Sequence, residues 1–297
     1  MRTPLIDAVV ATQDSRDLVV ECITRLRSPL LERVIVVDNG SMDGTADAVR
    51  RHRSDVEIVR LERSVGLSAA YNRGAQAGSA ELILFLNDDV FATDEAAARL
   101  TSALDSHPEA VAAAGRLVDP ADGRTQEQYL PQSFPSAVTL AAALFGRTRR
   151  LVELDDHEIA PVDQPPGACL LVRRRVFEEV GGWDERYEFW FEDVDLARRL
   201  HVVGEILFVP DAAFPHVGGA SARRLSHAEV VTRHYHGALL YAQRHLGVSG
   251  RAITGPAYAF ASAARSVTAL DVAARRAYSR VFRDAIRVVL GRAVGSG

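Results

Sequence analysis

The chain has 297 residues, of which 47% are hydrophobic and 25% charged, and a formal charge of −4; this composition belongs to a folded globular protein and excludes a disordered or low-complexity one. A weakly acidic balance also excludes a surface that is basic throughout, as a nucleic-acid sheath would be, so no nucleic acid is expected as a partner. Lysine is absent and all 35 basic residues are arginine, which removes P-loop phosphate binding, Schiff-base chemistry and lysine bases.

In chain order, residues 5–11, 34–37, 56–61 and 82–86 are short runs rich in Val, Ile and Leu, separated by polar or amphipathic segments of helical length. Strands apolar on both faces with intervening helices imply an α/β fold, a doubly wound and mostly parallel sheet covered on both sides. Ligands of such sheets lie beyond the carboxyl ends of the strands. Those ends carry Thr12-Gln13-Asp14, Asp38-Asn39-Gly40-Ser41, Arg63-Ser64 and Asn87-Asp88-Asp89. Residues 110–165 are punctuated by prolines and read as loops around one short helix at 137–145. A strand is expected at 167–175, a helix through Arg199 and a strand at 206–209. From 226 onward the chain reads as helical, which divides it into a 1–225 domain and a 226–297 extension. That extension is basic: residues 251–297 hold eight arginines against Asp271 and Asp284. In its last segment Val281, Phe282, Ala285, Ile286 and Val289 share one face, opposite Arg276, Arg280, Arg283 and Arg287. Such a helix fits either the surface of an anionic membrane or a packing role, within the chain or in a homodimer.

Cys22 and Cys169 are too widely spaced for a zinc motif and too few for a disulfide scaffold. The stretch Met1 to Asp7 has no apolar run of signal-peptide length, and the expected setting is a reducing cytoplasm, with peripheral contact to the membrane's inner face if the last helix takes the membrane rather than the packing role.

Three segments carry chemistry. Adjacent carboxylates at Asn87-Asp88-Asp89 suit Mg2+ or Mn2+, which bridge a few protein oxygens to substrate phosphates. The alternative is helix capping, for which Thr93 or Asp94 already stands in the right place. The turn Asp38-Asn39-Gly40-Ser41 reads either as structural or as a nucleotide contact. No G-x-G-x-x-G follows the first strand, so a dinucleotide-binding dehydrogenase is not expected. From Gly181 to Asp195 six acids and five aromatics occupy fifteen residues. Aromatic faces stack on sugars and carboxylates accept hydroxyl protons, which suggests a carbohydrate site. The alternative is a loop whose aromatics fill the core, with Asp195 capping the next helix.

Taken in order, Val36-Val37-Asp38-Asn39-Gly40-Ser41-Met42-Asp43-Gly44-Thr45, Gly66 through Tyr71-Asn72-Arg73-Gly74, Phe85-Leu86-Asn87-Asp88-Asp89, Gly182-Trp183-Asp184-Glu185, Glu192-Asp193-Val194-Asp195 and His216-Val217-Gly218-Gly219-Ala220-Ser221 resemble glycosyltransferase family 2, with its GT-A fold, over about residues 4–225. The likeness is strongest to its bacterial rhamnosyltransferase-like branch. It implies an inverting, metal-dependent transfer of a sugar from a nucleotide diphosphate sugar, TDP-rhamnose first, to a glycan or polyprenyl-linked acceptor of a cell wall or surface polysaccharide. By the same resemblance Asp38, Thr12, Asn72, Asn87 and Asp88 would hold the donor nucleotide. Asp89 and His216 would bind Mg2+ or Mn2+, Asp193 would be the catalytic base, and Trp183, Asp184, Glu185 and Glu192 would bind the acceptor. Galactofuranosyl-, galactosyl-, glucosyl- and mannosyltransferases of the family are the alternatives within it. Outside it stand a nucleotidyltransferase, disfavoured because Ala11-Thr12-Gln13-Asp14 is not a Gly-rich loop, and a non-catalytic carbohydrate-binding scaffold.

Overall fold

The computed structural model describes residues 5–146, 152, 155, 157–219 and 225–294. Met1 to Pro4 of the N-terminal stretch, and Ala220 and Ser221 at the end of the His216 motif, lie outside the described residues. Two compact units are present. One holds Met1–Ser133, Leu151–Glu185 and Leu196–Gly218, and the other Phe134–Arg150, Arg186–Asp195 and Gly219–Gly297.

The first unit is built on the strands β1 (Ile6–Thr12), β2 (Leu31–Asp38), β3 (Glu57–Arg60), β4 (Leu82–Asn87), β5 (Ala110–Val118), β6 (Ala160–Pro161), β7 (Cys169–Arg173) and β8 (Glu205–Pro215). They form one sheet in the order β3-β2-β1-β4-β7-β5-β8-β6. All seven residues of β1 are buried, as are the last five of β2 and the first five of β4, which accounts for their unbroken apolar runs. The helices α1 (Arg16–Arg25), α2 (Thr45–His52), α3 (Leu67–Ala77), α4 (Asp94–Ser106) and α6 (Arg174–Glu179) connect or follow these strands. β3, β2, β1 and β4 run parallel, as do β5 and β8, whereas β7 lies antiparallel between β4 and β5. A doubly wound, mostly parallel sheet is thus present, with an antiparallel strand at its centre.

Two strands depart from expectation. β5 runs through a stretch read as loop because Ala110-Val111-Ala112-Ala113-Ala114 has one β-branched residue, Val111, among alanines; burial between neighbours overrides that weak preference. β8 continues past Pro210. Its register against β5 breaks between Gly115 and Arg116, so Pro210 sits in an irregularity where no ladder donor is needed. The strand then resumes and delivers His216 to the rim.

The second unit is helical, with α5 (Ala137–Ala143), α8 (His227–His245), the single turn α9 (Gly247–Ser249), a π-helical turn at Gly250–Thr254, α10 (Gly255–Thr268) and α11 (Val272–Val289). α11 packs on α8 and α10. Its Val281, Ala285 and Val288 are buried in the unit's apolar core, and Phe282 and Ile286 are partly exposed. Of the apolar stripe read from the sequence, Val281 and Ala285 are thus buried inside the unit, Val289 is half-buried, and Phe282 and Ile286 are exposed. α7 (Glu192–Leu200) begins in this unit and ends in the first. No helix among the described residues is long and apolar enough to cross a membrane. Cys22 and Cys169 are buried free thiols.

Candidate active site

The polar ends of β1, β2 and β4 meet on one rim of the sheet in the first unit. Asp38 closes β2 and is 1% exposed. Its Oδ1 accepts from the Ser41 amide at 2.9 Å. Its Oδ2 is buried without a hydrogen bond, with the Arg60 guanidinium 3.8 Å away. A buried acceptor left open in this way costs about 1–3 kcal/mol, and a ligand donor would recover that cost. The turn after Asp38 needs Gly40, whose φ is +77° and whose Cβ, if present, would lie 2.5 Å from the Arg63 carbonyl carbon. Asn39 ties the same turn down, accepting from the Val65 amide at 2.9 Å. Asp14 accepts from the Met42 amide at 2.7 Å.

At the end of β4 all three residues of Asn87-Asp88-Asp89 are held. Tyr71 donates to Asn87 Oδ1 at 2.8 Å, and Thr12 donates to Asp88 Oδ2 at 2.7 Å. Asp89 is 4% exposed and His216 is 2% exposed. The Val90–His216 bridge and the Val217 amide, 3.0 Å from the Asp89 carbonyl, pin the two segments together. His216 Nε2 then stands 3.5 Å from Asp89 Oδ1. Capping of α4 is done by Thr93, which accepts from the Ala96 amide at 3.2 Å, so Asp88 and Asp89 are not needed for it.

Sequence reasoning missed the group that orients His216. Gln126 donates through Nε2 to the His216 carbonyl at 2.7 Å and its Oε1 lies 2.8 Å from His216 Nδ1. With the amide so placed, Nδ1 donates to Gln126 and Nε2 is the ring nitrogen that faces Asp89. Tyr129 packs edge-on against the imidazole at 4.8 Å. The 3.5 Å between the ring nitrogen and the carboxylate oxygen is close to the separation of about 3 Å between neighbouring ligands around a cation with bonds of about 2.1 Å. The donor set therefore fits a divalent ion. No group of three or more His, Cys, Asp or Glu side chains able to hold one occurs among the described residues. Asp89 and His216 would be a half-site for such an ion.

Other expected residues sit differently. Both polar atoms of Asn72 are engaged by the neighbouring loop: Nδ2 donates to the Trp183 carbonyl at 2.8 Å and to Glu185 Oε1 at 3.0 Å, and Oδ1 accepts from the Trp183 amide at 3.0 Å. Asn72 thus holds the Trp183–Glu185 segment in place. Trp183 is 2% exposed, with its ring 5.2 Å from Tyr71 and 5.3 Å from Phe85. It supports the rim from beneath, and Asp184 and Glu185 are the more exposed members of that segment.

In the second unit, Glu192 and Asp193 open α7. Asp193 accepts from the Val194 amide at 2.8 Å. Glu192 Oε2 is buried without a hydrogen bond. Burial first, and the charge of Asp193 second, push the Glu192 carboxyl up to about 8. Asp195 is not the helix cap; it lies fully buried in the first turn of α7 and pairs with His245 at 2.7 Å and Arg244 at 3.2 Å. Tyr187 and Phe191 are also buried, so part of the aromatic run fills the core, while Trp190 remains half-exposed.

Comparison with known proteins agrees with this architecture. The model of "Glycosyl transferase family 2" matches residues 7–181. An N-acetylglucosaminyl-diphospho-decaprenol L-rhamnosyltransferase of Mycobacterium tuberculosis is 29% identical over 235 residues, which is 72% of this chain and 76% of that protein. A glucosyl-dolichyl phosphate glucuronosyltransferase of Haloferax volcanii is 28% identical over 157 residues, covering 52% of this chain and 46% of the relative. Among solved structures, S. aureus TarS 1-349 in complex with UDP-GlcNAc superposes with a TM-score of 0.63 at 15% identity, over 96% of this chain and 81% of that one. GalNAc-T7 with UDP, GalNAc and Mn2+ gives a TM-score of 0.61 at 15% identity over 82% of this chain, which spans about half (51%) of that protein. The fold is that of GT-A glycosyltransferases, and the chain belongs to glycosyl transferase family 2.

Proposed function

We propose that this chain is an inverting glycosyltransferase that moves a sugar from a nucleoside diphosphate sugar to a hydroxyl of a glycan or polyprenyl-linked acceptor in surface-polysaccharide synthesis. The observation that carries the reading is the buried Asp89–His216 half-site on the rim shared with the open Oδ2 of Asp38. Two protein ligands suit a cation that completes its shell with diphosphate oxygens and water. Mg2+ or Mn2+ held by Asp89 and His216 would stabilise the charge growing on the departing diphosphate. Asp38 would accept from the nucleoside, and Thr12 would keep Asp88 turned into the rim. Asp193 would take the proton of the acceptor hydroxyl as that oxygen attacks the anomeric carbon from the face opposite the leaving group; one displacement inverts the centre. Glu192, neutral at pH 7, would donate a hydrogen bond to the acceptor, and Asp184 and Glu185 would accept from its hydroxyls. TDP-rhamnose is the first donor proposed; the name of the mycobacterial relative supports rhamnose as the sugar and a diphosphate-linked lipid as acceptor.

Asp193→Asn tests the assignment of the base. Transfer to acceptor should fall by roughly 10²–10⁴-fold while nucleoside diphosphate binding stays at the wild-type level. Retained turnover, or loss of nucleotide binding along with turnover, would remove Asp193 from that role.

A further inference from the structure

The helical unit contains a cavity of about 410 Å³ between the Tyr187–Trp190 segment, α8 and α11. Space persists there because small residues, Gly237 of α8 and Ala277 of α11, face it. Its charge is unevenly compensated. Arg233 stands 3.7 Å from each of Glu188 and Glu229, which absorb its charge. Arg276 and Arg280 also line the cavity, one turn apart on α11, with their Cβ atoms roughly 5–6 Å apart. Neither has an ion pair among the described residues. Two like charges one helical turn apart are mutually unfavourable, and an anion between them would reverse the sign of that interaction.

The opposite wall is built with strain. Trp190 and Phe191 have φ of +70° and +69°, a left-handed conformation that is unfavourable for bulky residues. Phe191 is locked by its ring contacts with His234 at 5.4 Å and Tyr241 at 5.9 Å. The turn also presses on α8 at Gly237, where a Cβ would stand 2.9 Å from the Trp190 carbonyl oxygen. This arrangement presents the half-exposed Trp190 ring, with the Glu188 carboxylate, to the cavity. An aromatic face beside an acceptor oxygen suits a sugar ring. Trp190 is three residues from Asp193, so their Cα atoms are at most about 11 Å apart.

We propose that this cavity is the acceptor site for a lipid-linked diphosphate, with Arg276 and Arg280 on the diphosphate, the first sugar against Trp190 and Glu188, and the start of the prenyl chain along the apolar wall. It rests on the transferase reading and gives that reading its acceptor chemistry.

The test is calorimetric titration of the full chain in the absence of metal with geranylgeranyl diphosphate, geranylgeraniol and inorganic pyrophosphate, on wild type and on Arg276→Gln/Arg280→Gln. Both arginines are exposed, so the double variant should fold, as its thermal transition will report. The expected result is that the prenyl diphosphate binds, that each half-ligand binds more weakly, and that the double variant loses about tenfold or more in affinity. Equal affinity in wild type and variant would overturn the proposal, and so would geranylgeraniol or pyrophosphate binding as well as the prenyl diphosphate. Co-sedimentation with phosphatidylglycerol vesicles that the variant loses while prenyl diphosphate binding is unchanged would assign the arginines to a membrane surface and also overturn it. Nucleoside diphosphate binding with Mn2+, measured on the same samples, should be the same in both proteins. Its absence from wild type would sink the transferase reading alone, with the cavity result still standing.

Discussion

Gln126 orients His216 through both its backbone and its ring, and partners of that kind are worth roughly 10–100-fold in metal affinity. Gln126→Leu should lower Mn2+ affinity in the presence of nucleoside diphosphate by about that factor, read as free Mn2+ by electron paramagnetic resonance. An unchanged affinity would show that Asp89 and the backbone bridge suffice. Glu192 makes a second prediction at this scale. Its folded-state value of about 8 lies above the ordinary carboxyl value of about 4.3, so the folded protein holds the proton more tightly than the unfolded chain. Stability from this group is complete below that ordinary value and is lost as pH rises toward 8, by at most about 1.4 kcal/mol per pH unit. Glu192→Gln should flatten the decline of the thermal transition between pH 5 and 8. A slope identical to wild type would mean that the carboxyl is not held neutral.

At the scale of elements, the division of labour between Thr93 and the preceding acids is testable. Thr93→Ala should cost about 1 kcal/mol of stability and leave metal-dependent nucleotide binding intact, as measured by denaturant unfolding and calorimetry. Loss of binding with little loss of stability would reverse those roles. The parallel strands were legible because their residues are apolar on both faces and end in abrupt polar clusters, and the same clusters marked the rim of the sheet on which Asp38 and Asp89 stand. β5 was not legible, because a buried strand of alanines carries no periodic signal. Gln126 and Tyr129 were hidden for a related reason. They reach His216 across 90 residues of sequence from a segment whose prolines mask any pattern, and only tertiary contact reveals them. Trp183 and Asn72 show the converse limit: residue type announced their motif, but burial and hydrogen bonding made them supports of the rim.

At the scale of the molecule, the proposed reading gives the chain before residue 226 and its basic extension separate tasks. The first unit concentrates carboxylates where a cation and a diphosphate are expected, and the second places uncompensated arginines on α11. The proposed half-site makes the central claim sharp, because a cation held by two protein ligands and completed by diphosphate oxygens would couple the two affinities reciprocally. The most direct measurement is a calorimetric panel of TDP, UDP and GDP, each with and without Mn2+ or Mg2+, on wild type and Asp89→Ala. The expected result is that one diphosphate binds only with metal and that Asp89→Ala abolishes this binding. Metal-independent binding, survival of binding in Asp89→Ala, or no binding of any diphosphate would contradict the account.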